Sequence, residues 1–379
     1  VVAFVETVRT YVTDQAAQRT SPTFFEVLTA MALFHFAREE VDVAILEVGI
    51  GGRHDATSVV SPVASAVTNV ALEHTEVLGD TEAAIARDKA SVAPDHGPLV
   101  TGTTGEALEA VRETAGEVVT IGDRDDADVT VTYRGILDEA RPESAVRIAG
   151  MDWRVETRLG MFGSHQAQNA GVAATLARQV ASVDAETLAS GLRRARRPGR
   201  FEIVDRSPLT VLDGAHNPAA CAALARTLAE FDYDDLILVF GVLYDKDHPE
   251  MARTLPTPDR VVVAEPRSDR AEDTAVLTRV FERAGVSSVT ARTAVEEALD
   301  EALAGAGPDD CVLVTGSLYT VREARTRSTR TFVPKRTRSI EDARAVLESA
   351  DVTPPGIHRM RAKGVHRVLR TRVQPRQAQ

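Results

Sequence analysis

At 379 residues and 44% hydrophobic, the chain is long enough to bury two domains' worth of core, and no apolar stretch reaches the length of a membrane span. A formal net charge of −12 and an aromatic content of 4% argue against a nucleic-acid stacking platform. Two cysteines, Cys221 and Cys311, are too few for a disulfide scaffold or a zinc site and read as buried thiols.

The charge is unusual in kind and in distribution. Of the 44 basic residues only four are lysine (Lys89, Lys246, Lys335 and Lys363). Acid excess with so little lysine suggests a salt-rich cytosol, where at 1 M salt like charges are screened over roughly 3 Å. Val321–Gln379 carries 15 basic and 5 acidic residues, whereas residues 1–320 have a net charge of −22. The tail is therefore a segment of a different kind, read as a basic arm or a linker to another domain. Glu6, Arg9 and Asp14 break up the first residues, so no secretory signal is expected and the location is read as cytoplasmic.

Taken in chain order, "TFFEVLTAMALFHFAREE" predicts a helix, with Thr23 and Glu26 forming a capping box. "VDVAILEVG" (41–49) is a continuous apolar run that predicts a strand buried on both faces of a parallel sheet, and "VASAVTNVA" (63–71) predicts another. "EAAIARDKASV" returns to helix. "ADVTVTYRG" and "SAVRIAGMDWRVETRL" read as strands and turns, and "HQAQNAGVAATLARQVA" as helix. "RRARRPGR" (193–200) reads as a boundary, because Pro198 and Gly199 interrupt a helix. Beyond it, "LTVLDGA", "DLILVFGV", "RVVVAEP" and "DCVLVTGS" are apolar strands separated by helical stretches, a βαβ series and hence a doubly wound α/β domain. Such sheets bind ligands at the carboxyl ends of their strands. The Glu47 loop, "LDGAHNP", "FGVLYDKD" and "VTGSLY" are all expected at such ends.

The loop "LEVGIGGRHDAT" (46–57) has two glycines of a dinucleotide fingerprint, Gly49 and Gly51, but His54 stands where the third belongs. A nicotinamide oxidoreductase is thereby disfavoured. The pattern G-x-x-x-x-G-K-[ST] occurs nowhere in the chain, so on local grounds the glycines read as a tight turn. Lys89 stands out in a chain that has otherwise replaced lysine by arginine. An amine that can lose its proton, or react with carbon dioxide, cannot be supplied by arginine. Glu47, His74 and a carbamylated Lys89 would offer oxygen and imidazole ligands suited to magnesium beside polyphosphate. Asp213 closes a strand, and Asn217 and Pro218 supply an N-cap and first-turn proline to the next helix, a junction that can present N–H groups to an anion. Arg200, thirteen residues upstream of Asp213, completes this cluster.

"LEVGIGGRHDATSVV", "TNVALEHTEVLGDTEAAIARDKASV", "GSHQAQNAGVAATLA", "RPGRFEIV" and "VLDGAHNPAA" together closely resemble folylpolyglutamate synthase/dihydrofolate synthase, ATP-dependent amide ligases of the Mur ligase superfamily. The match runs from about Thr23 to about Ala324. The resemblance implies a central P-loop-type nucleotide-binding domain, incomplete here (1–198), a Rossmann-like doubly wound ligase domain (199–330) and a basic tail or linker (331–379). It implies that Glu47, His74 and the carbamate on Lys89 hold Mg2+, and that Asn169, Arg200, Asp213, His216 and Lys246 face ATP across a domain cleft. Thr23 and Phe24, in "SPTFFEVLTAMA", fall near the family's folate-binding side. The implied reaction joins L-glutamate to dihydropteroate or a folate through an acyl phosphate, in a monomer with no nucleic-acid or membrane partner.

Two departures bear on that implication. The family usually has Asp-His where this chain has Glu73-His74, and it carries a Walker A loop before the first helix seen here. A fragment is the expectation. A catalytically impaired remnant that binds folate or a partner, and a Mur-type ligase with another carboxylate substrate, are the alternatives. "LRTRVQPRQAQ" somewhat resembles the entry to dihydropteroate synthase, which implies a fusion to that enzyme.

Overall fold

The computed structural model describes residues 4, 21–137 and 142–332. Of the basic tail read from the sequence, residues 333–379 lie outside the described residues. Among the described residues no helix is long and apolar enough to cross a membrane.

The first helix, α1 (Phe24–Arg38), starts at the predicted capping box. The Glu26 amide donates to Thr23 Oγ1 (3.2 Å), and the Thr23 amide donates to Glu26 Oε2 (2.7 Å). Satisfying two orphan N–H groups reciprocally fixes the start of a helix. A six-stranded sheet follows, in the order β1 (Ser65–Val67), β2 (Leu99–Thr101), β3 (Val118–Gly122), β4 (Val129–Ile136), β5 (Ser144–Ala149) and β6 (Arg154–Leu159). The first four strands pair in parallel and the last two pairings are antiparallel. Between β1 and β2 lie the single turn α2 (Thr75–Leu78) and α3 (Glu82–Ala90); α4 (Gly105–Thr114) connects β2 to β3. Small residues let these helices approach the sheet: Ala86, Ala90, Ala107 and Ala110 share one cluster with Val67 and Leu99. α5 (Ser164–Val180) lies across the other side of the sheet. A Cβ on its Gly171 would sit 2.6 Å from Val131 and 2.8 Å from Ile121, so only glycine allows that approach. The short helix α6 (Ala185–Arg194) then packs its buried Leu188 and Leu192 into the same core.

The second sheet runs β11 (Val289–Arg292), β10 (Arg260–Ala264), β9 (Leu236–Phe240), β12 (Cys311–Thr315), β8 (Leu209–Leu212), β7 (Glu202–Arg206). It is parallel except for the β7–β8 pair. β9 and β12 are buried along their whole length, as a doubly covered parallel sheet requires. Alternate residues feed two cores. Leu236, Leu238 and Phe240 enter one with α7 (Pro218–Leu228), α8 (His248–Thr254) and α9 (Thr274–Arg283). Ile237 and Val239 enter the other with α10 (Val295–Ala304) and α11 (Leu318–Phe332). Cys221 and Cys311 are both buried free thiols, as the sequence suggests.

One predicted strand is overturned. Residues 41–49 form no strand, and Val41, Val43 and Ile45 are exposed, Ile45 by 90%. A strand is defined by its neighbour. Among the described residues β1 pairs only with β2, so the apolar run has no ladder to join. The Glu47 loop therefore does not leave a strand end, whereas the other three predicted loops do, after β8, β9 and β12. The strand predicted over 63–71 is three residues long.

Phe240 is fully buried at the carboxyl end of β9, with its ring edge-on to Phe281 at 5.1 Å. Phe240→Ala is expected to lower unfolding stability by about 3–5 kcal/mol in denaturant titration.

Candidate active site at the sheet ends

The glycine loop faces inward to its own chain. Asp55 caps a 3-10 turn over Ala56–Val59 and accepts from the amides of Thr57 (2.9 Å), Gly49 (2.9 Å) and Ile50 (3.4 Å), and from the Thr57 hydroxyl (2.6 Å). Burial pushes this carboxyl up, but the hydrogen bonds from Thr57, Gly49 and Ile50 outweigh it and hold the group below the usual carboxylate range. The loop's first N–H groups are thus spent on a carboxylate of the same chain.

Gly51 and Gly52 serve contact with α3. Gly51 has φ +71°, and a Cβ there would run into the Asp88 carboxylate. A Cβ on Gly52 would lie 2.6 Å from the Asp88 carbonyl and 2.9 Å from that of Lys89, while the Gly52 amide donates to Asp88 Oδ1 (2.9 Å). The same loop touches Leu78 of α2, whose N-cap is His74. The loop after Glu47, the turn capped by His74 and the helix end carrying Lys89 are therefore neighbours. His74 sits in the left-handed region (φ +52°, ψ +37°) and its side chain makes no capping bond. Glu47 projects outward, its side chain 85% exposed, with Arg197 Nη2 at 4.0 Å. Asp55 and Asp88 are tied into the loop backbone, which leaves Glu47, His74 and Lys89 as the donor set read from the sequence. A carboxylate, an imidazole and a carbamate oxygen fit a hard divalent cation such as magnesium. Among the described residues, no group of three or more His, Cys, Asp or Glu side chains is placed to hold a metal ion.

The second cluster is built on the chain's crossing between the two sheets. Asp213, at the end of β8, is buried, and its carboxylate accepts from the amides of Phe201 (2.7 Å) and Ala215 (2.8 Å). Burial pushes its pKa up, opposed by those two amides and by the charges of Arg200 and His216. The Gly214 amide donates to the Gly199 carbonyl (2.8 Å), so the turn Pro198–Phe201 is fastened to the strand end. Arg200 rides on this turn. His216 Nδ1 lies 2.9 Å from the Gly214 carbonyl, and Asn217 accepts the Ala220 amide (2.7 Å) as N-cap of α7. After β9, Lys246 faces Asp245 (3.6 Å), which also receives Arg270 (3.0 Å). The amide of Gly316, after β12, donates to the Ala215 carbonyl (3.1 Å), closing the row of strand ends.

One side-chain contact crosses the cleft here, and a second, made by Arg197 just before the second domain, stays on the first domain's side. The Asn217 side-chain amide donates to Glu73 Oε1, beside His74. Arg197, three residues before Arg200, reaches Glu47. The remaining candidates are placed less centrally. Asn169 lies on α5 with its amide on Gln166 (3.3 Å). Thr23 spends its hydroxyl on the helix cap, and Phe24 exposes 80% of its surface.

The Tyr133–Glu230 pair and His165 escaped the sequence reading, and Glu73 was marked there only as a departure from the family's aspartate. His165 is half-buried, and its pKa is lowered to about 4, by burial first and then by the charges of Arg226 and Arg200. The signal was available, because His165 stands one helical turn before Asn169 on the same face of α5.

The matched family models are the Mur ligase middle domain over residues 2–177 and the Mur ligase glutamate ligase domain over 199–318. The chain is 60% identical over 377 residues to a probable bifunctional folylpolyglutamate synthase/dihydropteroate synthase of Halobacterium salinarum, covering 99% of this chain and 46% of that protein. It thus spans about half the length of the halophilic relatives it matches. A dihydrofolate synthase/folylpolyglutamate synthase of Mycobacterium tuberculosis is 34% identical over 331 residues, 80% of this chain and 68% of that one. The solved folylpolyglutamate synthase of M. tuberculosis complexed with ADP and AMPPCP superposes with a TM-score of 0.76 at 32% identity, over 86% of this chain and 78% of that one.

His165 gives the site a pH signature. Its folded pKa lies below the ordinary histidine value, so the unfolded chain binds the extra proton. The contribution of His165 to stability is expected to fall as pH drops from about 6.5 and to level off below about 4. Its ring resonances in NMR titration should show no charging between pH 7 and 5.

Proposed function

The chain belongs to the folylpolyglutamate synthase/dihydrofolate synthase family of Mur ligases, and on that premise we propose that it is an ATP-dependent amide ligase adding L-glutamate to dihydropteroate or to folates. The observation that carries this reading is the contact of the two clusters across the cleft, the Asn217 side-chain amide on Glu73. A ligase of this kind must hold a polyphosphate and an acyl acceptor between two bodies that meet. We propose residues 1–198 as the nucleotide-handling domain and 199–330 as the ligase domain, with 331–379 leading toward a dihydropteroate synthase.

In the proposed reaction the terminal carboxylate of the pterin substrate attacks the γ-phosphorus of ATP. The bond to the β-γ bridging oxygen breaks, ADP leaves and an acyl phosphate forms. The glutamate amine then attacks the acyl carbon, loses a proton, and the tetrahedral adduct expels phosphate to leave the amide. Glu47, His74 and a carbamate on Lys89 would hold a magnesium ion, which when bound neutralises phosphate charge. Arg200 and Lys246 bring fixed positive charge to the ends of β8 and β9, where charge on the transferring phosphoryl group would be met. His216 and Asn169 would contact the nucleotide, and Asp213 holds the turn that presents Arg200. Phe24 would offer its exposed ring to the pterin, next to Phe25, whose ring lies against Gly49 of the glycine loop. The acidic body suits a cytoplasm rich in salt, where such charge stays soluble.

The direct test is incubation of the protein with MgATP, L-glutamate and either dihydropteroate or tetrahydrofolate, with phosphate release and product mass as readouts. Glutamate-dependent phosphate release with one added glutamyl mass is expected. Binding of the pterin without phosphate release would instead indicate a remnant. Lys89→Ala is expected to lower kcat by about 10²-fold or more, the scale of losing one group that stabilises transition-state charge. Undiminished turnover in that variant would remove the carbamate from the site.

A further inference from the structure

Helix α7 is held at both ends by residues of the first sheet's domain. At its N-terminus Asn217 uses both halves of its amide: Oδ1 caps the Ala220 amide (2.7 Å) and Nδ2 donates to Glu73. Capping fixes which way the amide points, so the donor must face out of the helix toward Glu73. Two residues past the helix's other end, Glu230 Oε2 accepts from the Tyr133 hydroxyl (2.7 Å) on β4. The same Tyr133 oxygen accepts the amide of Gly163 (3.2 Å), the residue that leads into α5 at φ +91°. Gly135 on β4 takes the left-handed conformation (φ +74°) beside this contact, where a Cβ would meet Glu230 Oε2 at an ordinary van der Waals distance of 3.6 Å.

The two attachments differ in strength. The Tyr133–Glu230 bond is short, charge-assisted and half-buried, the stronger kind. The Tyr133 hydroxyl is pushed up to about 12, by burial first, so it remains a donor at any working pH. At the other end a flexible glutamate side chain meets a neutral amide beside the strained His74, in the mouth of the cleft. Eleven helical residues separate the attachments by roughly 16 Å. Phe162 also packs edge-on against Phe201 (5.7 Å) and Phe231 (5.6 Å) beside Glu230, so the firm attachment lies at this end, and the Glu73 contact is what holds the helix's other end from swinging about it.

We propose that α7 is the strut that sets the angle between the two domains, with Tyr133–Glu230 as its pivot and Glu73–Asn217 as its releasable catch. Glu73 is then a positioning residue: its release lets the ligase domain swing, and its engagement brings Arg200 and His216 over Glu47 and His74. A glutamate at position 73 reaches one methylene further across the cleft than an aspartate would.

The test is a distance across the cleft that needs no turnover, so its outcome is independent of the ligase reading. Spin labels go on Glu106→Cys of α4 and Glu282→Cys of α9, both exposed. Cys221 and Cys311 are fully buried and their thiols are pushed up to about 12, so they stay unlabelled. Asn217→Asp keeps an equally good N-cap but turns an acceptor toward Glu73. The interspin distance should broaden or shift by about 2 Å or more, the scale of a genuine domain rearrangement. Adding Glu73→Gln restores a donor facing an acceptor and should restore the parental distribution. Glu73→Ala, which leaves the cap untouched, should broaden it alone. An unchanged distribution in Asn217→Asp and Glu73→Ala, or a broadening that the paired exchange does not reverse, overturns the proposal.

Discussion

The site depends on one buried carboxylate. Asp213 receives a backbone N–H on each oxygen, from Phe201 on the linker between the two sheets and from Ala215 on the loop after β8. Removing either donor would leave a buried carboxylate short of a partner, a cost of several kcal/mol in general. The linker in turn is held in a conformation it would not adopt unaided. Phe201 has φ +44°, unusual for a residue with a bulky side chain, and such positions typically cost about 1–3 kcal/mol. Its compensation is visible: the ring is buried, stacked on Phe231 at 5.1 Å and edge-on to Phe162 at 5.7 Å. The aromatic cluster anchors the turn from below, Asp213 from the side, and Arg200 is left at the surface of the cleft.

From that anchor the rest of the arrangement follows by short steps. Ala215 is tied to Gly316, and Gly241 to both Thr315 and Thr320, so the ends of β8, β12 and β9 form one continuous floor. α7 rises from this floor with its N-cap at the cleft. On the opposite side the glycine loop has no spare role, because its amides hold Asp55 and its missing side chains admit α3. A loop that looks like a phosphate cradle is here a hinge of packing between Glu47 and Lys89. The nucleotide reading therefore rests on charged side chains and strand ends, with Arg200 and Lys246 on one side and Glu47 and His74 on the other.

Much of this was legible in the sequence, and the failures have physical causes. The capping box of α1 and the strands β8, β9, β10 and β12 carry local signals, a reciprocal side-chain pattern and uninterrupted apolar runs. The run 41–49 carries the same apolar signal and is no strand, because composition reports what could be buried and says nothing of the neighbour needed to bury it. β7 and β11 were missed because they are edge strands, short and only half-covered. The contacts of Glu73, Tyr133 and Glu230 were invisible for another reason. Their partners lie 144 and 97 residues away in the chain, and no periodicity reports a contact between domains. His165 had a signal, its helical spacing from Asn169, but the charges of Arg226 and Arg200 come from the other domain and reach it only when the domains meet.

On the proposed function, Asp213 builds the nucleotide side of the site by holding the turn that carries Arg200. Calorimetric titration of MgADP into the protein and into Asp213→Asn tests it most directly. Asparagine fills the same space but sets an N–H against one of the two backbone donors. The account predicts affinity weaker by about tenfold or more, with folding confirmed by circular dichroism. Equal affinity in the two proteins would contradict it.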